Sequence, residues 1–73
     1  MTKLQAQILA YVRKFIGEHG YSPSFAEIAK AVGTYNGTAR VNVIELGRRG
    51  YLTVGKGWRN IRLPDEGHNA RAA

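Results

Sequence analysis

The stretch YSPSFAEIAKAVG, Tyr21 to Gly33, leaves the backbone little choice. Pro23 breaks the chain. Ser24 offers a side-chain oxygen to the free amides of a first helical turn, and Glu27, three residues on, can reach back to the Ser24 amide to close a capping box. Phe25, Ile28, Ala29 and Val32 then fall on one face, and Gly33 stops the run. The pattern predicts a short helix over about 25–32, bounded at both ends and apolar on one side.

The segment before it repeats this logic over a longer span. Leu4, Ile8, Tyr11, Val12, Phe15 and Ile16 recur at spacings of four, three, one, three and one, which puts them on one stripe of a helix over 3–19. Thr2 is its cap, with Gln5 as the reciprocal partner, and Gly20 is its stop. After GTYNG, Ala39, Val43 and Leu46 stand at i, i+4 and i+7 of a third helix over 37–49, capped by Asn36 or Thr34 and ended by Gly50. Gly47 falls inside its last turns, where it costs about 1 kcal/mol relative to Ala in propensity. YLTV and WRNIRL are β-branched and aromatic segments separated by GKG, predicting a β-hairpin with a tight glycine turn that Pro64 ends. DEGHNARAA has no apolar anchor and is expected to be a disordered tail over 65–73. There is no internal repeat. Helix, helix, turn, helix and ribbon together predict an α+β domain over 1–64, a winged helix-turn-helix of three helices followed by a two-stranded antiparallel wing.

A chain of 73 residues holds one modest core and leaves little room for a large enzyme cleft. Cysteine is absent, so neither disulfides nor a thiolate metal site can staple the fold, which fits a reducing cytoplasm. No basic leader precedes an apolar run, and no stretch approaches the roughly 18 apolar residues of a membrane span. The expectation is a soluble, cytoplasmic protein with no membrane partner. Net charge is +6 and the sequence pI about 10.2. Residues 34–63 carry six cations, Arg40, Arg48, Arg49, Lys56, Arg59 and Arg62, against the single anion Glu45. This concentration in the second half favours a polyanionic partner over a generally basic surface kept for solubility.

Signals of chemistry are weak. GYLTVGKG matches a phosphate-binding loop through Gly55 and Lys56, but Gly57 stands where the magnesium-binding Ser or Thr belongs, and the stretch is predicted as strand and turn. Asn36–Thr38 forms a glycosylation sequon that means nothing without secretion. His19 lies near a helix end and His68 in the tail, neither with nearby ligands. Ser22 and Ser24 serve a turn and a cap. No acid–base pair, nucleophile, metal site or cofactor site emerges, so the chain is expected not to be an enzyme.

If Ala39, Val43 and Leu46 face inward, then Gly37, Arg40, Val41, Ile44 and Arg48 face outward. In a helix-turn-helix that surface enters the major groove of double-stranded DNA. Arg40 is the prime specificity candidate, because its planar fork matches the O6 and N7 acceptors of guanine, worth roughly 1–3 kcal/mol against the wrong base. Tyr35, Asn36, Thr38 and Asn42 are candidates for bases or phosphates, and Val41 for a thymine methyl. Arg48 and Arg49 suit phosphates. Ile44 breaks the polar pattern and is expected to pack on the ribbon. On the wing, Lys56, Arg59 and Arg62 are placed for backbone or minor groove, and Trp58 either covers the core or stands exposed for DNA or a partner. The competing reading of each single arginine is an ordinary solvated face.

SPSFAEIAKAVG, followed by RRGYL and NIRL, resembles the N-terminal DNA-binding domain of the LexA repressors, with their PPTxAEIAxxLG second helix, RKG helix end and GIRL final strand. The resemblance covers about residues 3–63 and is strongest at Pro23, Ala26, Glu27, Ile28, Ala29 and Gly33. It implies a winged helix and a transcriptional regulator, a repressor by analogy. Where the family reads its operator with an asparagine and two consecutive glutamates, this chain carries Gly37, Arg40 and Val41, and the turn ahead of helix 3 is a residue shorter. The resemblance therefore implies the mode of binding and not the family's operator. The family's C-terminal self-cleaving Ser/Lys peptidase, which provides its dimer interface, has no counterpart in these residues. The expectation is a small stand-alone regulator of a bacterial cell or a phage-infected host, like those of phages or mobile elements, pairing as a dimer on two half-sites. Two alternatives are a domain that binds a host transcription protein through helix 3 or the wing, and an architectural DNA binder without sequence preference.

Overall fold

The computed structural model describes residues 1–55 and 59–63. Three helices, α1 (Lys3–His19), α2 (Phe25–Val32) and α3 (Asn36–Arg48), precede two strands, β1 (Thr53–Val54) and β2 (Ile61–Arg62), paired antiparallel. This is the arrangement of a winged helix. The segment 65–73 lies outside the described residues.

Both expected capping boxes form. The Thr2 hydroxyl accepts from the Gln5 amide at 3.1 Å while Thr2 N donates to Gln5 Oε1 at 3.2 Å. Ser24 and Glu27 make the same reciprocal pair at 3.1 and 2.9 Å. Gly33 ends α2 at φ +76°, a left-handed conformation that glycine adopts without steric cost, and the amides of Gly33 and Thr34 both donate to Ala29 O. The third helix departs from expectation at both ends. Asn36 lies within it, Tyr35 is the N-cap without a side-chain hydrogen bond, and Arg49 is the C-cap. The tight α2–α3 turn brings Tyr35 to the cap position, so the short polar side chain of Asn36 arrives one residue too late to cap.

At eight residues α2 falls below the roughly 12–15 that are marginal for an isolated helix, so tertiary packing holds it. Ile28 and Ala29 join Ile8, Leu9 and Val12 of α1, Ala39, Val43 and Leu46 of α3, and Leu52 and Ile61 of the ribbon in one core. Full burial of each large aliphatic contributes about 1.5–3 kcal/mol. The buried face of α1 is wider than the expected stripe. Leu9 is inside it, while Leu4, Tyr11 and Ile16 sit at the core's edge. Both α2 and α3 pack on α1, and two partners bury a broader arc than one. Phe15 leaves the core for a ring cluster with Tyr11, His19 and Tyr21, at centroid distances of 5.9, 4.2 and 5.6 Å.

The ribbon has shorter strands and a longer connection than a tight GKG hairpin. Thr53 pairs with Arg62 and Val54 with Ile61, and the Gly55 amide donates to Asn60 O at 3.1 Å. The Asn60 side-chain amide donates to Gly55 O, closing the loop across 55 and 60. Burial sets this register. Ile61 must face the core, and a one-residue slip would turn Arg62 inward instead.

Gly47 has a role that helix propensity hides. A Cβ there would stand 3.2 Å from Val54 Cγ2 and 3.7 Å from Leu52 O, so its absence lets β1 lie close against α3. Gly47→Leu should lower the unfolding free energy by about 1–3 kcal/mol despite leucine's better helix propensity, measured by chemical denaturation.

Candidate nucleic-acid interface

At about 100° per residue, the line opposite Ala39, Val43 and Leu46 runs through Gly37, Val41, Ile44 and Arg48. This ridge is open to solvent: Val41 is 66% and Ile44 41% exposed. Tyr35, at the cap, is 83% exposed, and Asn36, Thr38 and Arg40 are exposed in the first half of the helix. Arg40 stands a heptad before Gly47, so the two are only about 20° apart round the axis. It thus lies on the flank where the ribbon packs. On the ribbon itself alternation turns Ile61 in and Arg62 out.

Several sequence candidates have other partners. Asn42 is half-buried and faces α1: its Oδ1 accepts from Gln5 Nε2 at 3.1 Å, and its Nδ2 donates to Thr38 O at 2.8 Å. Gln5 is itself buried, so this polar tie between α1 and α3 sits at the edge of the core. Arg59, expected on DNA, folds back on the helix-turn-helix. Its Nη1 donates to Ser22 O and Glu27 Oε1, each at 2.9 Å, and its Nη2 to Glu27 Oε2 at 2.8 Å. The guanidinium also lies over the Tyr21 ring, 5.1 Å from its centroid. A planar fork meeting a carboxylate at two points fixes orientation as well as distance. Ile44, expected against the ribbon, stays exposed because Gly47 and Val54 make the helix–ribbon contact farther round the helix. Lys56 and Trp58 lie outside the described residues.

The structure also brings forward Glu45. Its carboxylate accepts from Arg48 Nη1 at 3.2 Å and from Arg49 Nε at 2.8 Å. Arg49 first, with Arg48, holds the Glu45 carboxyl below its ordinary range, and Glu45 in turn raises Arg49. Both arginines remain largely exposed, so the charge offered by this end of α3 is softened and not removed. The (i, i+3) and (i, i+4) spacings of Glu45 before Arg48 and Arg49 are the sequence signal for this clamp.

Among the described residues, no three His, Cys, Asp or Glu side chains gather as a metal site, and no helix is long and apolar enough to cross a membrane. The profile of the LexA DNA binding domain matches residues 1–58. The chain belongs to the LexA DNA-binding domain family. It is similar to the LexA repressor of Pseudothermotoga lettingae, 40% identical over 63 residues that take in 86% of this chain and 32% of that protein. It is also similar to the LexA repressor of Marinobacter nauticus, 36% identical over 67 residues, 89% of this chain and 33% of that protein. A third match, to the LexA repressor of Syntrophotalea carbinolica, is 42% identical over 53 residues, 71% of this chain and 26% of that protein. The chain thus spans about a third or less of the length of these LexA relatives.

Two predictions test the inward-facing polar groups. Asn42→Ala leaves the buried Gln5 amide without its acceptor, at an expected cost of about 1–3 kcal/mol in urea denaturation. Glu27 is the second case. Chiefly the Arg59 hydrogen bonds, and next the Ser24 amide, lower its carboxyl to about 2. A carboxylate with a depressed folded pKa stabilises above its unfolded value, near 4.3, and loses that contribution as pH falls through the folded one. Melting temperature should therefore drop between about pH 5 and pH 2, and Glu27→Gln should flatten that part of the profile while lowering stability at pH 7.

Proposed function

We propose that this chain binds double-stranded DNA at specific sequences and acts as a transcriptional repressor, with α3 in the major groove and the ribbon against the backbone or the neighbouring minor groove. The observation that carries this reading is the outward face of α3. Arg40, Val41, Asn36 and Thr38 stand exposed on the N-terminal half of the helix, the half that meets base edges in a helix-turn-helix, on a chain of the LexA DNA-binding domain family.

The roles divide by chemistry. Arg40 reads a guanine through its fork. Tyr35, Asn36 and Thr38 contact bases or phosphates at the start of the helix. Arg48, Arg49 and Arg62 meet phosphates, which supply much of the affinity and make it steeply salt-dependent. Arg59 acts from inside, holding the connection between the two strands on Ser22 and Glu27 so that the ribbon, with Arg62 facing out, has a fixed place beside α3. A single module of this kind covers about 600–1,000 Å², so two copies on paired half-sites supply the specificity. Action on chromosomal DNA assigns the protein to the bacterial cytoplasm.

Selection of duplexes from a random library at about 0.15 M salt should enrich a motif, with half-sites about 10 base pairs or a multiple apart centre to centre. Arg40→Ala should lose roughly 1–3 kcal/mol of discrimination at one base-pair position and leave the rest of the motif intact. Retention of duplexes without a motif would favour an architectural binder, and retention of none would overturn the DNA reading.

A further inference from the structure

The middle of the outward ridge of α3 carries no hydrogen-bonding side chain. Gly37, Val41 and Ile44 succeed one another along it, and Arg48, at its end, is engaged by Glu45. Asn42, the amide on the same stretch, is turned toward α1. A helix that reads base edges only by hydrogen bonds would not leave a branched aliphatic side chain such as Val41 66% exposed at the centre of its face.

Gly37 adds an independent observation. Its φ is not positive, and a Cβ built on it would meet nothing within 4 Å. Nothing inside the fold requires glycine there, where it weakens a helix. The bare backbone at Gly37 leaves room on the ridge for a surface that approaches α3 closely. Charge identifies that surface. Arg40, Arg48 and Arg49 border the ridge, which suits a polyanion.

The apolar group that a base presents in the major groove is the C5 methyl of thymine. Resting on the DNA-binding reading above, we infer that the Gly37–Val41–Ile44 ridge recognises thymine by van der Waals contact with its methyl, Gly37 letting the helix seat deeply enough for Val41 and Ile44 to reach. Val41 and Ile44 lie one turn apart on the ridge, about 4.5 Å along the helix axis, so each side chain meets its own methyl.

The test uses the duplex enriched from the random library and replaces each thymine singly by deoxyuridine, which removes the methyl and keeps the base-pairing edge. Affinity should fall about fourfold for each contacted methyl, at two positions. Val41→Ala should bind the thymine and uracil duplexes equally at one of these positions, and Ile44→Ala at the other. Gly37→Ala should melt no lower than the parent protein yet bind the duplex more weakly. Site-specific binding that is indifferent to uracil at every position would overturn the methyl reading and leave the DNA-binding reading standing. A uracil effect that persists at the same position in both Val41→Ala and Ile44→Ala would do the same. Failure of the library to yield any motif would remove both.

Discussion

An eight-residue helix cannot hold itself in water, and α2 stands between the two helices whose angle defines the domain. Its position depends on Ile28 and Ala29 in the core and on Glu27 at its first turn. One oxygen of Glu27 accepts from the Ser24 amide and from Arg59, and the other accepts from Arg59 again. The carboxylate therefore ends the helix and binds the ribbon in a single contact. Because Arg59 also donates to Ser22 O, the turn before α2 is held on both sides of Pro23. The ribbon has only two paired residues per strand and would be marginal alone, so this anchor together with Leu52 and Ile61 in the core gives it a fixed place.

A second constraint acts on α3. Three of its residues face the core, Gly47 faces β1, and Asn42 faces α1, so more than a third of the helix is committed to the fold. What remains for a partner is narrow: a ridge that is apolar at its centre, flanked by Arg40 and ended by an arginine pair that shares one carboxylate. Such a face differs in kind from one built of asparagine and glutamates. Shared family membership therefore accounts for the scaffold, while the side chains on the ridge belong to this chain.

Much of the architecture is legible in the residues. Apolar spacing marks all three helices, and the pairs Thr2–Gln5 and Ser24–Glu27 mark two helix starts to the residue, because capping is decided within one turn of chain. The third helix start is less legible. Tyr35 caps it with backbone alone, so composition offers no signal and the nearby Asn36 suggests a different boundary. The ribbon is legible as a pair of strands but not in its register, since GKG advertises a tight turn while the burial of Ile61 and the bond between Gly55 and Asn60 select a wider loop.

At the site, the sequence by itself determines which residues of α3 oppose its apolar stripe, because helical geometry repeats every 3.6 residues whatever the surroundings. It also determines the basic balance of the second half and the Glu45–Arg48–Arg49 clamp, whose members are three and four residues apart. Only the tertiary structure decides that Asn42 serves Gln5 and that Arg59 serves Glu27 and Ser22, since those partners are 37, 32 and 37 residues away along the chain. The physical reason is one of range. Periodicity, capping and neighbouring charges act within a turn of helix, whereas the partner of a long polar side chain depends on which elements the core has brought together.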